Sequence, residues 1–261
     1  MFDPRAISEE LTELRHSRTP SALVFDTRRD FEILPPSVAE NLLPVVDSVH
    51  PRSYDDSWVP SDAPEPLHRI VREEFTIGAP GDGGVAWTRQ TTPPIVFVKP
   101  RLAGSPAGFI DFLIAEALVE ISLDIPEHFI EFFGSEYRTL ADAVPLSPAD
   151  TYQLAAALFD AYAGRLTRPL FAEWADEYPT LHAEWADAGE RLTPRLNDLS
   201  RDVAIGRTGF SDAAELACSA VKHDLDPPTP FAALDTAAYE QYGSSFAVRW
   251  AEKTFDALDV A

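Results

Sequence analysis

The sequence predicts an α+β protein, mostly helical, in which a small antiparallel β-sheet packs on a central helix and a C-terminal all-helical region follows. Three observations lead there. β-rich runs are confined to residues 75–98 and are separated by Gly- and Pro-rich turns. Residues 109–123 form an apolar run of helical length. Beyond Ser105 the chain repeats helix-start signals such as Ser105-Pro106 and Ser147-Pro148 ahead of long apolar-periodic stretches. We divide the chain into an N-terminal helical segment (1–70), an α+β core (71–140) and a C-terminal helical region (145–261), the last two sharing one interface.

Taken in order, Asp3-Pro4 followed by Ile7, Leu11 and Leu14 reads as an amphipathic helix with Asp3 as N-cap. Residues 22–25 are a short apolar run that suits strand or helix. A second helix is expected over 37–49, bent near Pro44, and the Pro/Asp/Ser-rich residues 51–66 read as a surface connection. A short helix covers 67–74; in Glu65-Pro66-Leu67-His68 the proline marks a helix start, so His68 is read as a helix-start residue rather than a ligand. Runs at 75–78, 85–89 and 95–98 are strands of a hairpin or meander. The Gly78–Gly84 loop lacks the Lys-Ser/Thr of a phosphate-binding loop and opens no helix, so it is a turn.

Helices are then expected at 105–123, from Pro126, at 147–166, and at 194–203, 211–223 and 244–258. Ala172-Glu-Trp-Ala-Asp176 recurs as Ala183-Glu-Trp-Ala-Asp187, with Tyr178-Pro179 breaking the helix between the copies. Trp174, Trp185 and Trp250 read as interhelix packing.

Composition excludes several function classes. With 43 Asp+Glu against 21 Lys+Arg the net charge is −22, which repels a nucleic-acid backbone, and no local basic cluster overrides it. Lys99, Lys222 and Lys253 are the only lysines. Scarce lysine beside abundant carboxylate fits a salt-rich cytoplasm, where salt screens the repulsion. No apolar run has the length of a membrane span and the N-terminus lacks a signal pattern, so a cytoplasmic location without membrane attachment is expected. The lone Cys218 forbids an intrachain disulfide and multi-cysteine zinc sites and reads as a small core residue. A protein partner remains open. His182 and Glu184 lack the cysteines of a zinc deaminase, and no G-x-S-x-G is present.

The chemistry-bearing segment is the helix at 109–123. At 100° per residue, Asp111, Ala115 and Ser122 form a narrow solvent stripe, whereas Glu116 and Glu120 fall on the apolar arc of Phe109, Phe112, Leu113 and Leu123. Two carboxylates one turn apart in apolar surroundings need a cation, an arginine or a shared proton. With His128 they form a possible three-ligand set for a divalent metal (Zn, Mn or Fe). Arg89, Arg101 or Arg138 would instead make them structural ion pairs.

Residues 95–133 resemble the core of the zincin metallopeptidases, specifically the SprT-like and YgjP-like group. The corresponding residues are Val98-Lys-Pro-Arg-Leu102, at the end of what is an edge strand in that pattern, then Ile110-Asp111-Phe112, Glu116-Ala117-Leu118-Val119-Glu120 and Glu127-His128-Phe129-Ile130-Glu131-Phe132-Phe133. The whole chain also resembles uncharacterised acidic proteins of halophilic archaea.

The zincin resemblance implies a zincin-like fold with degenerate chemistry. Both helix histidines of the H-E-L-x-H motif become Glu116 and Glu120, the water-polarising glutamate becomes Ala117, and only His128 keeps its type. Loss of that base removes a contribution of roughly 10²–10⁴ in rate. Two functions follow as expectations: a non-catalytic, zincin-derived binding or regulatory protein, or a metal-dependent hydrolase with ligands Glu116, Glu120 and His128 and a base such as Glu127 or Glu131.

Overall fold

In the computed structural model, which describes residues 1–259, the strands are β1 (Phe2–Pro4), β2 (Leu23–Thr27), β3 (Ser48–Val49), β4 (Val85–Thr88), β5 (Thr91–Thr92) and β6 (Ile95–Val98). The helices are α1 (Glu9–Arg18), α2 (Pro36–Ala39), α3 (Glu65–Arg72), α4 (Ala107–Ser122), α5 (Phe129–Phe133), α6 (Glu136–Ala143), α7 (Pro148–Glu177), α8 (Pro179–Leu196), α9 (Leu199–Ala204), α10 (Phe210–Lys222) and α11 (Ala237–Asp259). The class is the expected one, α+β and mostly helical.

The chain forms two compact units. The first holds Met1–Asp56, Glu65–His128 and Trp174–Glu184, and the second Ser57–Pro64, Phe129–Glu173 and Trp185–Ala261. This division cuts across the three sequence segments, because residues before 70 supply strands to the sheet.

In the first unit the main sheet has the order β1-β2-β6-β4 and is mixed. β4 and β6 form the expected antiparallel hairpin, with Val85 opposite Val98 and Thr88 opposite Ile95. β2 then joins the far side of β6 in parallel, pairing Leu23 with Ile95 and Asp26 with Val98. Both the antiparallel expectation and the edge position implied for residues 95–98 are thereby corrected. The reason is visible in β6 itself, where all four residues are buried, the signature of a strand covered on both sides.

Alternation distributes the side chains. Phe25, Ile95 and Phe97 join Leu34, Ala39, Leu42, Phe75 and Ile77 in one core cluster, with Phe2, Leu23 and Phe31 packed against it. Val24 and Val96 occupy the opposite face, and α4 packs against β4 and β6, with α1 against α4. Little of α4 reaches solvent. Ala115, placed in a solvent stripe by the helical wheel, is fully buried, and Asp111 and Ser122 are half-buried.

Several N-terminal expectations change for local reasons. Asp3 lies in β1 and pairs with Arg28 at 2.7 Å; the N-cap of α1 is Ser8, whose hydroxyl accepts from Leu11 N. The helix expected over 37–49 stops after a single 3₁₀ turn at Glu40–Leu42, ahead of Pro44, and Ser48–Val49 pairs with Thr91–Thr92 instead. Residues 75–78 contribute only a bridge from Ile77 to Leu34.

At the α7–α8 corner, Glu10 of α1 accepts from Thr180 N and Leu181 N at 3.1 and 3.2 Å and from the Thr180 hydroxyl at 2.7 Å. A carboxylate thus sits where the first turn of α8 leaves N–H groups unmatched.

The second unit is helical. α7 runs on through Pro169 to Glu177, well past the expected end, and breaks at Tyr178-Pro179 as expected. α11 packs along α5 and α6 and is interrupted at Gly243, whose φ of 49° and ψ of −127° are non-helical. Arg168 binds Asp235 through two contacts of 3.0 and 2.8 Å, and Arg165 pairs with the same carboxylate. The two repeated tryptophans part company: Trp174 lies in the first unit, edge-on to Tyr178, whereas Trp185 lies in the second and donates to Lys222 O at 3.0 Å.

Candidate functional site

The central helix brings Glu116, Ala117 and Glu120 to the interior of the first unit. Glu116 is 9% exposed and Ala117 3%. Register explains the company of Glu120. Trp87 stands opposite Val96, on the α4 side of the sheet, and its indole N–H donates to Glu120 Oε2 at 2.7 Å. A carboxylate accepting a single-geometry indole donor is anchored in place.

Of the arginines considered as partners, Arg101 holds Asp30 at 2.9 Å and Glu32 at 2.6 Å. Arg89 pairs with Asp124 and donates to Ile125 O at 2.7 Å, and its guanidinium lies 5.7 Å from the Trp87 ring.

Glu127, considered above as a base, is a brace. Its carboxylate accepts from Arg89 N at 2.5 Å, Gln90 Nε2 at 3.0 Å and the Thr88 hydroxyl at 3.1 Å, clamping the turn between β4 and β5. Burial raises its pKa, and the Arg89, Gln90 and Thr88 donors together with the charge of Arg52 oppose that rise. With its lone pairs occupied by structural donors it is poorly placed to take a proton from water.

Neighbouring His128 is 7% exposed, and burial lowers its pKa to about 3, so its ring is neutral at pH 7. Among the described residues no group of three or more His, Cys, Asp or Glu side chains is placed to hold a metal ion. Glu116, Glu120 and His128 therefore do not assemble as a ligand set, and no catalytic step is derived through a metal. Sequence reasoning missed Trp87, for which the alternation of 85–88 was the available signal.

In the second unit a shallow cleft is lined by Asp62, Tyr137, Asp142 and Thr151 among others; burial, aided by the charge of Asp62, raises the Tyr137 pKa. His223 lies nearly parallel to the Trp185 ring at 6.2 Å, with Nδ1 3.0 Å from Trp185 O, and burial lowers its pKa to about 4.

No curated protein and no solved structure matches the chain. One family matches across residues 1–258, nearly the full length. The chain therefore belongs to DUF7089, a family of unknown function.

Proposed function

We propose that this is a catalytically degenerate, zincin-like binding or regulatory protein of a salt-rich cytoplasm, which takes an extended polypeptide segment along the outer edge of β4. The observation that carries this reading is the free edge. Among the described residues β4 is the last strand of its sheet and pairs only with β6. Lys99 N donates to Gly84 O at 2.8 Å, so by antiparallel alternation Gly84, Ala86 and Thr88 direct their backbone groups toward β6, and Val85 and Trp87 direct theirs outward. An edge of that kind accepts an added strand. Ala117 on α4 stands where the zincin resemblance puts the water-polarising glutamate, which supports binding over hydrolysis.

The test uses peptide display on the protein in molar salt. Peptides should be recovered that bind the wild type and lose binding to Val85→Pro, since that proline removes an outward N–H and spares the ladder. Peptides that bind both alike would overturn edge recognition. Peptide hydrolysis abolished by Glu116→Gln would overturn the non-catalytic reading. The metal-dependent alternative draws no support from the geometry; it requires Zn²⁺ or Mn²⁺ to raise the melting temperature, and we expect no shift.

A further inference from the structure

Where the chain turns from α6 into α7, the second unit keeps a cleft of about 100 Å³. Its lining comes from three stretches: Asp62 ahead of α3, Tyr137, Ala141 and Asp142 of α6, and Leu146 with Thr151 around the start of α7. Although they line this opening, Tyr137 is 1% exposed and Thr151 3%. The Tyr137 ring packs on Phe129 and Phe133, with ring centres 5.4 and 6.5 Å away. Among the described residues its hydroxyl has no hydrogen-bond partner, and the charge acting on it is that of Asp62. A buried hydroxyl left without a partner costs stability, so its presence at a cleft points to a ligand that supplies one.

The groups around that hydroxyl decide the ligand's charge. Asp62 and Asp142 are carboxylates, and no lysine, arginine or histidine lines the cleft. Among the described residues neither carboxylate is paired with a cation, so an anion would be repelled. The helix ends agree. Ala141 and Asp142 belong to the last turn of α6, where unmatched carbonyls carry the negative end of the helix dipole. The opposing first turn of α7 already has its cap, since the Ser147 hydroxyl accepts from Asp150 N at 3.2 Å. The rest of the lining is aliphatic, which a bare metal ion would leave unused, and among the described residues no three acidic, imidazole or thiol groups meet to hold one.

A primary ammonium on a short alkyl chain matches both halves, with three N–H donors for the oxygens and methylenes for Ala141 and Leu146. We infer that this cleft binds a small primary alkylammonium, its nitrogen held among Asp62, Asp142 and the Tyr137 hydroxyl. A cavity of about 150 Å³ holds benzene, so this smaller one takes a cation of propylammonium or butylammonium size. A free amine and the end of a lysine side chain share this chemistry.

The experiment titrates the full-length protein with butylammonium chloride at fixed ionic strength and follows binding by ligand-observed NMR. One site with a Kd of about 1 mM is expected, with 1-butanol competing poorly. The Kd should rise about tenfold in Asp62→Asn and about fivefold in Tyr137→Phe, whose ring packing and melting temperature are kept. Glu252→Gln removes the same charge from an exposed position of α11 and should leave the Kd unchanged. Equal weakening in Asp62→Asn and Glu252→Gln would overturn the site, showing cations gathered by bulk charge. An unchanged Kd in Tyr137→Phe would overturn the role of the buried hydroxyl, and displacement of butylammonium by equimolar Mg²⁺ would overturn the organic class. Nα-acetyllysine methylamide separates the two sources: binding as tight as butylammonium assigns the cleft to a lysine side chain, and weaker binding to a free amine. None of these outcomes depends on the β4 edge.

Discussion

Single side chains already set measurable behaviour. His128 and His223 are held neutral by burial, with pKa values of about 3 and about 4. The unfolded chain takes these protons near pH 6.5, so stability is complete above that value and falls as acid is added, by roughly 1.4 kcal/mol per pH unit for each group across its window. Urea midpoints at pH 7.5, 6 and 5 should decline in the wild type and about half as steeply in His128→Gln, where His223 alone contributes. Trp87→Phe removes the indole donor to Glu120 and should cost about 1–2 kcal/mol, read from the same denaturation. Glu127→Ala strips an acceptor from three donors at one turn and should cost more, about 2–4 kcal/mol. At this scale the sequence was informative about burial and silent about partners. Glu116 and Glu120 stood out because they occupy an apolar arc, but Trp87 reaches Glu120 only through a register that pairs residues far apart in the chain.

Elements close on one another through small residues and caps. A Cβ at Gly164 would lie 2.8 Å from the Cα of Lys222, so α7 meets α10 at the backbone itself. Gly164→Ala should therefore destabilise by about 1–3 kcal/mol despite the better helix propensity of alanine, as a lowered melting temperature would show. Glu10→Ala uncaps α8 and should cost about 1 kcal/mol. Elements whose signals are local were legible: α4 from its apolar length, the β4–β6 hairpin from its turn residues, and the α7–α8 break from Tyr178-Pro179. β1, β2 and β3 were not, because their partners lie tens of residues away and their own few residues fit strand, helix or loop alike. The resemblance set β6 at an edge, and no motif within 95–102 announces that residues 23–27 cover its other side.

Across the whole molecule the charge of −22 opposes compaction. Screening shortens the reach of that repulsion to about 8 Å at physiological ionic strength and about 3 Å at molar salt. The melting temperature should rise from low to molar KCl as screening shortens the repulsion. Hydrophobic content and helix-rich periodicity made the class readable before any contact was known, whereas the division into units was hidden.

That division has a consequence for how the protein is made. The chain passes from one unit to the other at residues 56, 64, 128, 173 and 184. The first unit is incomplete until residue 184 has been synthesised, by which point the stretch 129–173 of the second already exists. The first unit can then finish while the second still waits for residues from 185 onward. No single cleavage point yields two self-sufficient halves, so a truncation at residue 140, which leaves both units incomplete, should express as an aggregating fragment.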